Sequence, residues 1–283
     1  MLSLALVRDV QRARQWGERI LPEIGTDNPV FEAMLRRPLA LIYTLAGHVR
    51  EAQEACEAVE SIESKTLLGC IFEDASCVGF HYLRRGEWDK AREHMERAIP
   101  LFQARNNFAA LGACSLILGH LHLELQDYAR AEELLLQSLD ICREGGNVLL
   151  ELWVLPSLCE LYLGLAERGK AGSYVERGFE LLRPDQNWYG LAALAHLAKG
   201  MLASAERDWE TAVSGFETAA AINRRYQLPY DEARACHELG LMYLARGRAG
   251  DRRRADEQLD KALEIFQRVG ATTAVEKVRT TRG

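Results

Sequence analysis

The sequence predicts an all-α fold, a right-handed superhelical solenoid of antiparallel helix pairs with a period of about 40 residues. Three observations lead to this prediction. The composition is typical of a helical protein, with 48% hydrophobic residues and only 7 prolines in 283 residues. A helical segment with a fixed Ala recurs along the chain, and an apolar segment with a fixed small residue precedes each copy.

The second helix of each predicted pair is clearest at residues 86–99, GEWDKAREHMERAI. Similar segments occur at 47–60, 126–139, 166–179, 207–220 and 250–263. Each has an Ala at the equivalent position, and these residues are Ala52, Ala91, Ala131, Ala171, Ala212 and Ala255, spaced 39 to 43 residues apart. A large apolar residue follows four positions later in each segment, as Leu135 follows Ala131.

The first helix of each pair is an apolar segment with one small residue. These residues are Ala40, Gly79, Gly119, Cys159, Gly200 and Gly240, spaced 39 to 41 residues apart. Antiparallel helices approach closely where side chains are small. Because Gly inside a helix costs about 1 kcal/mol relative to Ala, the repeated glycines indicate a packing requirement. Three residues later most copies have an aromatic residue, such as Tyr82 and Tyr162, which we expect to fill the space between one pair and the next.

The order of small residue, aromatic residue, turn and spaced Ala resembles the tetratricopeptide repeat. The usual period of that family is about 34 residues. The longer period here is similar to repeats C-terminal to bacterial signalling ATPases, such as the maltose-regulon activator, and to those of adenylate or guanylate cyclases. The last repeat, with LPYDEARACHELGLMYLARG at 228–247, most resembles the cyclase-linked tails. The resemblance implies a regulatory interaction module, the C-terminal sensor region of a bacterial multidomain signalling protein.

We expect one solenoid over residues 1–283. It comprises a half repeat at 1–24, repeats at about 28–64, 67–105, 107–145, 147–183, 187–226 and 228–270, and a capping helix at 271–283. Because the sequence opens inside a repeat, we expect Val10 and Trp16 to be partly uncovered and this edge to self-associate or dock an upstream domain. Gly270 is expected to stop the last repeat helix, and Val275 and Val278 of the capping helix are expected to face inward.

Charge and composition argue against several classes of protein. A net charge of −6 argues against a nucleic-acid-binding surface. No segment approaches the roughly 18 consecutive apolar residues of a membrane helix, and the start of the sequence lacks the features of a secretory signal. Seven scattered cysteines without a CxxC pair indicate reduced, buried thiols and a cytoplasmic protein.

Motifs for catalysis or cofactor binding are missing, since the sequence has no P-loop, no GxGxxG and no HExxH. His120 and His122 lie two residues apart and do not share a helix face, so we interpret them as packing or groove residues. Cys70 and Cys77 share a face and are compatible with a soft metal, but without a third ligand core packing is favoured. The basic run at 246–256 is a contact for an acidic partner or a solvated turn, and the turn is favoured. We predict no enzymatic activity, no cofactor and no metal.

Stacked helix pairs form a concave surface lined by the first helix of each pair. The resemblance assigns the lining positions by their offset from the small residue. The candidate groove residues are Glu73, Phe80, Arg84, His120, Glu124, Trp153, Glu160, Met201, Arg234 and His237. An apolar floor with a few charges of both signs suits a peptide or a partner helix, and aromatic and Arg side chains are the expected anchors. The alternatives are a small-ligand or peptide-signal receptor, and a fragment of a protein with nucleotide cyclase or ATPase activity.

Overall fold

The computed structural model describes residues 9–24, 29–65, 75–186 and 188–282. Within these ranges the chain forms fourteen α-helices and no β-strand, which confirms the predicted all-α solenoid. None of the described helices is long and apolar enough to span a membrane. The helices are α1 (Val10–Ile24), α2 (Pro29–Ala46), α3 (Val49–Lys65), α4 (Ala75–Arg85), α5 (Trp88–Ala104), α6 (Phe108–Glu124), α7 (Tyr128–Glu144), α8 (Val148–Gly164), α9 (Arg168–Leu181), α10 (Ala192–Glu206), α11 (Trp209–Arg225), α12 (Pro229–Arg246), α13 (Asp251–Arg268) and α14 (Thr272–Arg282).

Consecutive helices pack as the pairs α2–α3, α4–α5, α6–α7, α8–α9, α10–α11 and α12–α13. Helix α1 packs on α2, and α14 packs on α13. The first helix of each pair also contacts the first helix of the next pair, from α2 to α12. The first helices therefore form one continuous layer, and the second helices form the outer layer of the stack.

The turns follow from local side-chain chemistry. Asn107, Asp127, Asn147 and Asp208 each begin a helix by accepting a hydrogen bond from the backbone N–H three residues later, at 3.1–3.3 Å. Within several pairs the first helix ends one residue before a left-handed position. In the fourth pair, where the first helix ends at Gly164, that position comes one residue later, at Ala166 with φ 60°, a conformation that favours Gly over residues with a Cβ.

The small residues mark the closest approach of the two helices in a pair, as predicted. A Cβ placed on Gly119 would lie 2.8 Å from Leu135 Cδ2, and one on Gly240 would lie 2.9 Å from Leu259 Cδ2. Both distances are shorter than ordinary carbon–carbon contacts of about 3.5–4.0 Å. Each leucine is the large apolar residue that follows the repeated Ala by four positions. The small residue of one helix thus makes room for the large residue of its partner.

The aromatic residue lies between its own pair and the preceding pair, whereas we expected it to face the next pair. The Tyr82 hydroxyl donates a 2.7 Å hydrogen bond to Glu60 of α3, and the Tyr162 hydroxyl donates one of 2.6 Å to Glu132 of α7. Tyr162 also stacks on Tyr174 of its own pair, with ring centroids 5.6 Å apart. The tyrosines face the preceding pair because the carboxylate that accepts each hydrogen bond lies on the second helix of that pair.

Buried carboxylates also join neighbouring pairs. Glu151 of α8 is 3% exposed, and it accepts hydrogen bonds from Arg177 of α9 at 2.8 Å and from Arg143 of α7 at 3.4 Å. Glu232 of α12 is equivalent, because it also lies eight residues before the small residue. It contacts Arg224 of α11 at 2.8 Å and Lys261 of α13 at 3.0 Å. One carboxylate in each case holds three helices together.

The two ends of the stack differ from the sequence expectation in one respect. Val10 was expected to be partly uncovered, but it belongs to the hydrophobic core, with 5% of its surface exposed. Trp16 is 38% exposed, as expected. At the C-terminal end, Gly270 has a φ of 66° where the last repeat helix stops, and Val275 and Val278 of α14 are buried.

The described solenoid closes on itself. The Thr272 hydroxyl at the start of α14 donates a 2.6 Å hydrogen bond to the Arg85 carbonyl at the end of α4. Nearby, Arg84 forms a 2.9 Å ion pair with Asp231 of α12, and helix α12 also contacts α2. The stack therefore makes about one turn, and its last repeat and α14 meet the first complete repeats. These contacts bring α12 and α14 close to α4 across the concave surface.

Candidate functional site

A central cavity lies where the first helices converge at the closed side of the ring. It has a volume of about 70 Å³, which is room for a few water molecules. Six of the ten predicted groove residues line it, and these are Arg84 of α4, His120 and Glu124 of α6, Glu160 of α8, and Arg234 and His237 of α12. The structure thus brings together side chains that are up to 153 positions apart in the sequence.

Helix geometry explains this convergence. His120 and Glu124 are four residues apart and therefore share a helix face. Arg234 and His237 are three residues apart and share a face of α12. Because the first helices turn the same face inward, the equivalent face of α4, α6, α8 and α12 reaches the cavity.

Three ion pairs cross the cavity region. Arg84 pairs with Asp231 at 2.9 Å, Arg234 pairs with Glu160, and Lys277 pairs with Glu124. Each joins helices from different repeats or from α14. The six charged groups are 12% to 47% exposed, so they retain access to water.

Aromatic rings hold Arg84 in place. Its guanidinium carbon lies 3.9 Å from the centre of the Tyr230 ring and 4.9 Å from that of Phe80, within the range of cation–π attraction. Phe80 in turn meets Trp153 edge to face, with ring centroids 5.5 Å apart. Phe80 is only 9% exposed. Phe80 contacts Arg84 directly, and Trp153 packs against Phe80. Neither ring lines the cavity.

The remaining predicted residues lie elsewhere. Met201 of α10 is buried, with 8% of its surface exposed, and it does not line the cavity. Glu73 lies outside the described residues. Conversely, the cavity includes Trp88, Tyr230, Glu238 and Lys277, which the sequence did not indicate. Lys277 was missed because α14 was interpreted only as a cap with a charged outer face.

Burial and neighbouring charges shift the pKa values of several cavity residues. Burial lowers the pKa of His120 to about 3, and the cations Arg234, Arg84 and Lys277 act in the same direction. Burial raises the pKa of Glu160, and the carboxylates of Glu238 and Glu124 add to this effect, although Arg234 opposes it. His120 is therefore neutral at neutral pH.

Glu124 and Glu238 show the opposite shift. Burial would raise the pKa of Glu124, but the cations Lys277 and Arg234 outweigh it and hold the pKa below its usual value. His237 and Arg234 likewise lower the pKa of Glu238 against the effect of burial. The His237 Nδ1 lies 3.5 Å from Glu238, while its buried Nε2 has no hydrogen-bond partner among the described residues.

Ser157, His120 and Glu124 are neighbours in space in the same order as the residues of a serine catalytic triad. His120 Nδ1 lies 3.3 Å from the Ser157 hydroxyl, and His120 Nε2 lies 3.8 Å from Glu124. Ser157 is 4% exposed and does not line the cavity. An imidazole with a pKa near 3 is also a weak general base at neutral pH. This geometry does not support nucleophilic catalysis.

Metal binding also lacks support among the residues with defined placement. No group of three His, Cys, Asp or Glu in the described ranges is arranged to hold an ion. His122 Nδ1 instead contacts Asp127 at 3.0 Å in the turn after α6. The six described cysteines, including Cys77, are buried as predicted, while Cys70 lies outside the described residues.

Comparisons with known proteins agree with the fold. Residues 73–144 match the family model described as tetratricopeptide repeat. The structure of the APC/C hetero-tetramer Cut9-Hcn1 is similar, with a TM-score of 0.67 and 16% identity over 97% of this chain and 48% of that chain. The present chain thus spans about half of that relative. The structure of a Rap protein complexed with Competence and Sporulation Factor has a TM-score of 0.67 and 16% identity over 98% of this chain and 79% of that chain. A search of curated protein sequences gave no match.

These findings define the class of fold as a tetratricopeptide-like solenoid. The sequence match covers less than half of the chain, and the similarity to solved structures extends over nearly all of it.

Proposed function

We propose that this chain is a non-catalytic interaction scaffold that binds a peptide or a segment of a partner protein on its concave surface. The observation that carries the proposal is the central cavity, on which charged side chains from four first helices and α14 converge. Its lining also includes the apolar and aromatic side chains of Leu83, Tyr230 and Phe266. Apolar surface provides affinity, and a few placed polar groups fix orientation.

The comparisons support this proposal through the fold. Both similar structures are complexes, one of Cut9 with Hcn1 and the other of a Rap protein with Competence and Sporulation Factor. The match to the tetratricopeptide repeat model covers the pairs α4–α5 and α6–α7. Those pairs contribute Arg84, His120 and Glu124 to the cavity.

The proposal is tested by changing both arginines that line the cavity. A partner captured by the full chain in its source cell is purified, and its affinity is measured by calorimetry against the double variant Arg84→Ala/Arg234→Ala. We expect at least a tenfold loss of affinity, because aromatic-packed Arg residues dominate such interfaces. Unchanged affinity in a folded variant would show that the concave surface is not the binding surface.

Two further variants control for misfolding and for the change in net charge. The double variant Arg84→Lys/Arg234→Lys retains both charges and serves if the alanine variant does not fold. Arg50→Ala/Arg253→Ala removes the same total charge from side chains that are 81% and 79% exposed. We expect this control to bind like the unmodified chain.

A receptor for a peptide signal is the second candidate within this function. The similarity to the Rap complex, which covers 98% of this chain, favours it. The resemblance of the last repeat to signalling proteins supports a role as the sensor region of a multidomain signalling protein, whose cyclase or ATPase activity would reside outside this chain. Full affinity for an isolated short peptide would favour the receptor, whereas an affinity that is much higher for the folded partner than for its isolated segment would favour the scaffold.

Self-association through the N-terminal edge is a separate part of the proposal. Trp16, Phe31 and Met34 of α1 and α2 are 38%, 53% and 42% exposed, which is unusual for large apolar residues. Light scattering at increasing protein concentration tests this point. We expect a rise in mass that Met34→Glu abolishes, and a constant monomer mass would contradict it.

A further inference from the structure

Helix α14 presents two different faces. Val275 and Val278 pack against the core, whereas Thr273, Ala274 and Lys277 line the central cavity. Lys277 reaches Glu124, and the Thr272 hydroxyl bonds the Arg85 carbonyl. The inward polar face therefore makes, from within the chain, the kind of contacts that a bound segment would make.

The attachment on the cavity side is weak. The Lys277 side chain is 47% exposed and that of Glu124 is 19% exposed. Ion pairs with this access to water contribute little to stability and are screened by salt. A competing segment can thus replace these contacts without removing Val275 and Val278 from the core.

The charge that remains after such a replacement is acidic. With Lys277 in place, Arg84, Arg234 and Lys277 of the lining face three carboxylates of the lining, Glu124, Glu160 and Glu238, and a fourth carboxylate, Asp231, pairs with Arg84. Without Lys277, two cations face the same four carboxylates.

We propose that α14 is an internal competitor for the concave surface, and that the segment which displaces Lys277 from Glu124 carries basic side chains. The inference rests on the proposed function, since it names the chemistry of the partner at the same site. A basic side chain in place of Lys277 restores the pairing with Glu124. An acidic segment would bring further negative charge next to Glu160 and Glu238.

The experiment uses the full chain and a fluorescent peptide with the sequence of residues 271–282, ATTAVEKVRTTR, which has three basic residues and one acidic residue. Peptide affinity is compared between the unmodified chain and Lys277→Glu by fluorescence anisotropy. We expect Lys277→Glu to bind about fivefold more tightly, because the internal competitor has lost its pairing. A peptide with its three basic residues replaced by Gln should not bind.

The matched control is Arg279→Glu, because it makes the same change of charge on an exposed residue of the same helix that does not line the cavity. It should bind the peptide like the unmodified chain. Equal affinity of Lys277→Glu and Arg279→Glu would overturn the proposal, since the gain would then reflect net charge alone.

Amide hydrogen exchange gives a second readout that requires no ligand. We expect residues 271–282 to exchange faster in Lys277→Glu than in Arg279→Glu, and equal exchange would also overturn the proposal. The two proposals fail separately. If the arginine variants abolish partner binding while Lys277→Glu changes neither affinity nor exchange, only the internal competitor is wrong.

Discussion

Replacing Gly119 by Ala adds one methyl group where α6 and α7 touch. The new Cβ would lie 2.8 Å from Cγ and Cδ2 of Leu135 and 3.3 Å from its backbone nitrogen. Leu135 is completely buried and has no solvent to move into. Overpacking costs about 1–3 kcal/mol, while the better helix propensity of Ala returns about 1 kcal/mol. We expect the free energy of unfolding to fall by about 1 kcal/mol.

Gly172 provides the matched control for this substitution. It also lies inside a helix, α9, but its added Cβ would meet only Leu202 Cδ2, at an ordinary 3.8 Å. Gly172→Ala should therefore raise the free energy of unfolding by about 0.5–1 kcal/mol. Urea unfolding followed by circular dichroism measures both, compared at an unchanged m-value. If Gly119→Ala stabilises the chain as much as Gly172→Ala, the helix contacts are misplaced.

Three other predictions concern buried charge, pH and a turn. Glu151→Gln should lower the free energy of unfolding by about 1–3 kcal/mol, because two arginines lose their carboxylate, whereas Glu180→Gln, at a 66% exposed side chain, should change it little. His120 has a lowered pKa of about 3 in the folded state, so unfolding takes up a proton below pH 6.5, and stability should fall by about 2 kcal/mol from pH 7 to pH 5. His120→Gln should flatten this dependence in urea titrations, and an unaltered slope would contradict it. Ala166→Gly should stabilise the chain by about 1 kcal/mol because φ is 60° there, and a loss of thermal stability would refute this reading of the turn.

Local spacing was enough to predict the helix pairs. Gly119 and Leu135 belong to one repeat, and their contact follows from a pattern that recurs along the chain. The small residue and the large residue recur with the same period, so their contact within each pair can be inferred from the sequence. The glycine stop at Gly270 is equally local, since it depends on one backbone conformation.

Contacts between repeats were harder to predict. The Tyr82 hydroxyl bonds Glu60 of the preceding pair. The repeat pattern does not show whether the preceding or the following pair supplies the acceptor. Glu151 had no visible signal, because only some repeats have a carboxylate at that position. The burial of Val10 in the hydrophobic core was likewise not indicated by the repeat pattern.

For the candidate site, the sequence predicted the residues whose position follows from one repeat, but it did not predict the contacts that depend on how the repeats stack. Offsets within a repeat placed Arg84, His120 and Glu160 on the inward face, and the cavity contains all three. The closure of the ring depends on the sum of small rotations between many pairs, which no single repeat specifies. The arrival of Lys277 beside Glu124 was therefore outside the reach of sequence reasoning.

The most direct test of the central claim is carboxylate labelling of the complex with a purified partner, followed by mass spectrometry. Glu124 and Glu160 face the cavity, whereas Glu133 and Glu180 lie on second helices with side chains 66% exposed. Binding on the concave surface predicts that the partner suppresses labelling of Glu124 and Glu160 and leaves Glu133 and Glu180 unchanged. Suppression confined to Glu133 and Glu180 would contradict the account and place the partner on the outer layer of helices.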